Sequence, residues 1–118
     1  MKKGDKLDRI DGIQRNVMTA FVEVLILESL LDKDMHSMQI KVYIEKHLEN
    51  FQLADKTIYN ALYRLREENI VSTVNDVHRG RVYHIEPAGI EYLKLINNEL
   101  DKLYLCRQDI RKKRSAKS

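Results

Sequence analysis

Three features of the sequence predict its architecture: an amphipathic helix over residues 55–69, two β-branched runs joined by a polar turn directly after it, and an apolar repeat extending far beyond Pro87. They predict a mainly α chain with a small β-hairpin. The arrangement is a winged helix-turn-helix with an N-terminal helix and a long C-terminal dimerisation helix. At 118 residues the chain is one domain, with a core modest enough that burying surface against a second copy would help it.

Residues 1–12 alternate charges, contain Gly4 and Gly12 and lack a sustained apolar period, so they read as a flexible N-terminal arm. From about Gln14 to Lys33 the pattern is helical, and Phe21 to Leu31 is apolar on nearly every side. Such a helix must be covered on two faces, one by its own domain and the other by a partner subunit; burial wholly within one copy is the alternative. After Asp32-Lys33-Asp34 breaks the pattern, Ser37 is the expected N-cap of a helix from Met38 to Glu49, with Ile40, Tyr43, Ile44 and Leu48 inward.

Asn50 to Ala54 form the connecting turn and Asp55 supplies the next cap. Read at about 100° per residue, Ile58, Leu62 and Leu65 share one face of helix 55–69 with Ala61 beside them. Lys56, Asn60, Tyr63 and Glu67 point the other way, flanked by Arg64. An ammonium, an amide, a phenol and a guanidinium are groups that hydrogen-bond base edges and phosphates. Asn69 suits the left-handed position that ends a helix. In the hairpin that follows, Asp76 to Gly80 make the turn, Arg79 and Arg81 stand at or beside its tip, and Tyr83 and Ile85 alternate inward.

Pro87 fits the first turn of a helix to about Ile110. Leu93, Ile96, Leu100, Leu103 and Ile110 recur as a coiled-coil seam, which either pairs with a second copy or folds back over the first helix. Residues 111–118 read as a basic disordered tail that adds attraction to DNA or simply solubilises the end. The expected division is therefore an arm at 1–12, a DNA-binding winged helix-turn-helix at 13–86, a dimerisation helix at 87–110 and the tail.

With the pieces in order, the stretch TIYNALYRLREENIV followed by RVYHIEPAGIEYL resembles the PadR family of winged-helix transcriptional regulators. The resemblance runs from about Val24 to Leu105. It rests on Thr57-Ile58-Tyr59, where the family's recognition helix carries a Thr-Leu-Tyr start, and on a wing that leads through Tyr83 to Gly89, where the family has a Thr-x-x-Gly helix start. This chain departs from the family in having His36-Ser37-Met38 for His-Gly-Tyr, Asn69 for Gly and Glu86 for the usual Thr. The resemblance implies a DNA-binding regulator with a dimerising C-terminal helix, often responsive to small aromatic molecules near the dimer interface. No Trp is present to stack such a molecule; Phe21, Tyr92 and Tyr104 are the aromatic candidates, and no effector can be named.

The residues expected on DNA are Ser37, Lys56, Thr57, Tyr59, Asn60, Tyr63, Arg64, Arg79 and Arg81. Asn60 is suited to adenine and Arg64 to guanine or a phosphate, whereas Lys56, Thr57, Tyr59 and Tyr63 suit phosphate or sugar. Phe21, Leu25, Leu93, Ile96, Leu100 and Leu103 are the expected dimer contacts. The expected function is a dimeric repressor on an inverted-repeat operator, its half-site centres about one or two helical turns apart. The alternatives are an architectural or replication-control dimer, since replication terminator proteins are similar in layout, and a winged helix used for protein contacts.

Charge gives a mixed signal. The net +3 is concentrated after residue 106, where six basic residues and one Asp give +5, leaving the body at −2. Affinity for DNA comes largely from counterion release at phosphates, so a local basic patch has to supply it. A single cysteine, Cys106, excludes an intramolecular disulfide and fits a reducing cytoplasm. His36, His47, His78 and His84 show no metal-ligand spacing. With no carboxylate pair, activated nucleophile or Gly-rich phosphate loop, neither enzymatic activity nor a cofactor is expected. The apolar run Val24 to Leu27 is far short of the roughly 20 residues of a membrane span.

Overall fold

A computed structural model describes residues 3–48 and 53–117. In chain order the elements are α1 (Lys3–Asp32), β1 (Met35–His36), α2 (Ser37–Glu45), α3 (Asp55–Glu67), β2 (Val71–Asp76), β3 (Gly80–Ile85) and α4 (Pro87–Lys117). The fold is the predicted winged helix-turn-helix with one addition. The hairpin gains a third antiparallel strand, β1, and the sheet order is β1-β3-β2. Its two residues, Met35 and His36, lie opposite Tyr83 and Val82. A strand so short carries no periodicity by which the sequence could reveal it.

α1, α2 and α3 enclose the core with the inner face of the hairpin. Val22, Ile26, Leu27 and Leu30 of α1, Ile40 and Ile44 of α2, and Ile58, Ala61, Leu62 and Leu65 of α3 are all buried. Tyr83, Ile85 and Leu93 join them from β3 and α4. The apolar second half of α1 is thus covered mostly within its own chain, leaving Phe21 and Leu31 exposed and Leu25 partly so. Its buried Ser29 hydroxyl returns a hydrogen bond to the Leu25 carbonyl at 2.7 Å.

Several boundaries differ from the sequence reading. α1 is helical from Lys3, where an arm was expected to run to residue 12. A glycine inside a helix costs only about 1 kcal/mol, and in the sequence Leu7, Ile10, Ile13 and Val17 carry a helical spacing across Gly12. α4 continues through the expected disordered tail to Lys117. Lysine and arginine are good helix formers and complement the negative end of the helix dipole, and nothing after Gly89 interrupts them.

The cap of α2 is His36, not Ser37. The imidazole Nδ1 accepts the Gln39 N–H at 3.2 Å while the Gln39 side chain takes the His36 N–H at 3.1 Å. This is a capping box in which histidine replaces the usual hydroxyl and leaves Ser37 as the first helical residue. α2 ends at Glu45 rather than Glu49, and most of the expected connecting turn, residues 50–52, lies outside the described residues together with Glu49. At α3 the cap position is Ala54, with no side-chain bond. Asp55 lies inside the first turn as a helix-start carboxylate.

The exit of α3 follows the Schellman pattern. Asn69 takes φ 60°, its N–H donates to Arg66 at 3.0 Å, and the Ile70 N–H donates to Leu65 at 2.9 Å. Ile70 then accepts the Glu86 N–H on its carbonyl at 3.0 Å, where β3 hands over to α4. The first turn of α4 packs directly on this junction. A Cβ added at Gly89 would run into the Ile70 carbonyl oxygen and come within 2.8 Å of Ile85 Cγ1. Gly89→Ala should therefore destabilise the protein by about 1–3 kcal/mol through overpacking against backbone that cannot yield, read as a lower urea midpoint at unchanged slope.

Candidate nucleic-acid interface

The burial of α3 divides it cleanly. Ile58, Ala61, Leu62 and Leu65 are enclosed, while Lys56, Tyr59, Asn60, Tyr63 and Arg64 are exposed and Thr57 is half-buried. Two aromatic rings left in water, Tyr63 at 64% exposure and Tyr59 at 51%, need a reason in so small a domain. Together with Lys56 and Asn60 they form a strip of donors and ring faces along one side of a helix.

α2 fixes the start of that helix. Lys41 pairs with Asp55 across the turn, a contact that raises the Lys41 pKa, with the Asp55 hydrogen bond as the main cause. Glu45 also takes the Leu53 N–H at 3.0 Å, tying the residues just before α3 to the end of α2. Nothing in the sequence singles out Lys41, because its partner is fourteen residues away and no local pattern joins them. Ser37, half-buried at the first turn of α2, is on the same supporting helix.

The wing tip is built by Asp76. Its Oδ1 accepts the N–H groups of His78 at 2.8 Å and Arg79 at 3.0 Å, and Gly80 at φ 76° completes the turn. These two backbone bonds, with a smaller contribution from the Arg79 charge, hold the Asp76 carboxyl below its ordinary pKa. The Arg79 guanidinium lies 3.5 Å from Asp76 Oδ2, so it is only loosely held, and Arg81 is exposed opposite Asn75. At the base of the hairpin His84 Nδ1 meets Asp34 Oδ1 at 2.8 Å, which raises the histidine pKa above 6.5.

Arg64 has a partner the sequence did not suggest. Its Nε–H donates to Glu23 Oε1 of α1 at 3.2 Å, and the Tyr92 hydroxyl of α4 donates to Glu23 Oε2 at 3.1 Å. Burial, then the nearby Glu23 charge, pushes the Tyr92 phenol up, so it remains a donor. The available signal was one acid, Glu23, standing in the apolar run that begins at Phe21.

The expected dimer residues separate into two groups. Leu93, assigned to the seam, is instead enclosed within its own chain, because the start of α4 lies on α1 and the hairpin. Ile96 and Leu100 are partly buried against the same core. Leu103 is 68% exposed, Ile110, Leu105 and Tyr104 are exposed with it, and Ile13, Val17 and Phe21 form a matching open stripe on α1. Among the described residues no group of His, Cys, Asp or Glu is placed to hold a metal, and no helix is long and apolar enough to cross a membrane.

Comparison with known proteins gives a consistent picture. A family model described as the transcriptional regulator PadR-like family matches residues 26–95. Among solved structures, a transcriptional regulator from Clostridium thermocellum is 26% identical with a TM-score of 0.67, over 82% of this chain and 93% of that one. A PadR family transcription regulator from Clostridium difficile is 22% identical with a TM-score of 0.68, over 76% of this chain and 97% of that one. A PadR family regulator from Eggerthella lenta, 14% identical with a TM-score of 0.73, shares the fold over 90% of this chain and 95% of its own. The comparison with curated proteins returns no match.

The His84–Asp34 contact has a definite pH dependence. A histidine whose folded pKa is raised contributes stability in full below its ordinary value of 6.5 and loses it as pH rises through the raised value. The melting-temperature gap between wild type and His84→Gln should therefore be larger at about pH 5.5 than at about pH 8.5, as thermal denaturation at the two pH values would show.

Proposed function

Because the chain belongs to the PadR-like family of transcriptional regulators, we propose that it acts as a homodimeric, sequence-specific repressor that lays α3 of each subunit into successive major grooves of an inverted-repeat operator. One observation carries this reading. The outward face of α3 holds Lys56, Asn60 and two exposed tyrosines, on a helix whose opposite face is locked into the core. Rings kept in water over a rigid support are suited to a ligand that brings both polar and stacking surface.

In this reading residues 13–86 are the DNA-binding unit, with Asn60 central enough on the face to meet an adenine edge bidentately. Lys56, Thr57, Tyr59 and Tyr63 take phosphate or sugar and set the register, and Ser37 at the start of α2 does the same from the supporting helix. Arg64, at the flank and with Nε already engaged, is better placed for phosphate than for guanine. Arg79 and Arg81 follow the neighbouring backbone or minor groove. Leu103 and Ile110 on the free half of α4, with Phe21 and Leu25 on α1, close the dimer.

Selection of bound fragments from a random duplex pool tests the dimeric, sequence-specific binding; recovery of no preferred sequence, or of sites without twofold symmetry, would overturn it. Asn60→Ala should relax the recovered preference at one position per half-site by about 1–3 kcal/mol. The double substitution Arg79→Ala and Arg81→Ala should weaken binding to every sequence alike. Its logarithmic plot of affinity against salt should also be shallower by about 0.9 for each phosphate that is no longer neutralised.

A further inference from the structure

One carboxylate joins three helices. Glu23 of α1 accepts Arg64 of α3 on Oε1 at 3.2 Å and Tyr92 of α4 on Oε2 at 3.1 Å, so each oxygen serves a different helix. An arginine and a carboxylate left to themselves favour the fork in which both oxygens take N–H groups of one guanidinium. Here the second oxygen takes the phenol, and the ion pair is the single bond on Nε; among the described residues no partner takes the Nη–H donors of Arg64, whose side chain is 47% exposed.

We propose that Tyr92 and Glu23 form a relay through which α4 and α1 orient the Arg64 guanidinium toward a DNA phosphate. Tyr92 pins the Glu23 carboxylate through Oε2, and the pinned carboxylate holds Arg64 by Nε with its Nη edge free for the phosphate. Without the phenol the carboxylate is free to turn, and Arg64 loses the fixed support that aims its Nη edge. Both are positioning residues, and neither has to touch DNA. The relay rests on the DNA-binding reading given above, and it gives the C-terminal helix a route to the recognition helix that passes through no part of the wing. A second α1–α4 bond, from Asn97 Nδ2 to Glu28 Oε1 at 3.2 Å, joins the same two helices without involving Arg64 and supplies the matched control.

The test is the salt dependence of binding to a duplex that the wild-type protein enriches from a random pool. Tyr92→Phe alters no charge, so a change in slope reports Arg64 rather than the mutated side chain. It should weaken binding about three- to tenfold and make the slope shallower by about 0.9 per subunit. Both effects should vanish in an Arg64→Ala background, and Tyr92→Phe should cost nothing further once Glu23→Gln has removed the carboxylate. Asn97→Ala should keep the wild-type slope even if it lowers the melting temperature. A Tyr92→Phe protein with wild-type affinity and slope overturns the relay while leaving the DNA-binding reading intact, as does a weakening that persists without Arg64. A wild-type protein that enriches no duplex overturns both.

Discussion

Ile70 is where the parts of this molecule that face outward are fixed to one another. Its N–H closes the end of α3, its carbonyl receives the last residue before α4, and the missing side chain of Gly89 lets α4 lie against it. α3, the hairpin and α4 therefore leave one buried point in fixed directions. A left-handed residue just before it is what makes the geometry possible. Asn69 adopts that conformation at less cost than most side chains because its short amide tolerates positive φ.

From that junction the polar contacts run outward in a consistent order. Bonds that set backbone direction are short and local, such as the Asp76 turn of the wing and the His36–Gln39 box of α2. Apart from the Glu23 cluster, the side-chain bonds that set one helix against another are single contacts at the surface, such as Lys41 to Asp55 and Asn97 to Glu28. Exposed pairs of this second kind contribute little to stability, typically below about 1 kcal/mol. Their role is orientation, and orientation matters most for a face that must meet a regular polymer. The body of the chain is close to neutral, so attraction to DNA has to come from where the cations are placed.

How much was legible in the sequence follows from the range of each interaction. Helical and alternating periodicity, turn residues and the left-handed Asn69 are encoded within a few positions. The strip on α3 and the hairpin could accordingly be read residue by residue, including the enclosure of Ile58, Leu62, Leu65, Tyr83 and Ile85. The cap of α2 escapes such a reading because histidine seldom fills that place, although Gln39 three residues on is the visible half of the box. Strand β1 and the Glu23, Arg64 and Tyr92 cluster depend on separations of 41 residues and more, or on a partner strand, and no local pattern announces them. The apolar repeat of α4 was visible, but whether Leu93 faced its own core or a second copy depended on where α1 lay.

That division of α4 has a consequence for recognition. The helix has 31 residues, about 46 Å at 1.5 Å per residue, in a molecule whose shortest dimension is 24 Å. Its first turns are committed to the protomer through Leu93, Ile96 and Leu100, and apolar side chains beyond them remain in water. In the dimer proposed above, the free half of the helix removes its leucines from water only by lying against the partner, while the committed half is rigidly joined to α3 through Ile70 and Gly89. Whatever angle the paired helices adopt is thereby passed to both recognition helices without an intervening hinge. The distance between half-sites becomes a property of hydrophobic packing, and the identity of the bases within each half-site remains a property of the polar face of α3. In that dimer, substitutions in the two regions would change different aspects of specificity, because one surface would measure spacing and the other would read sequence.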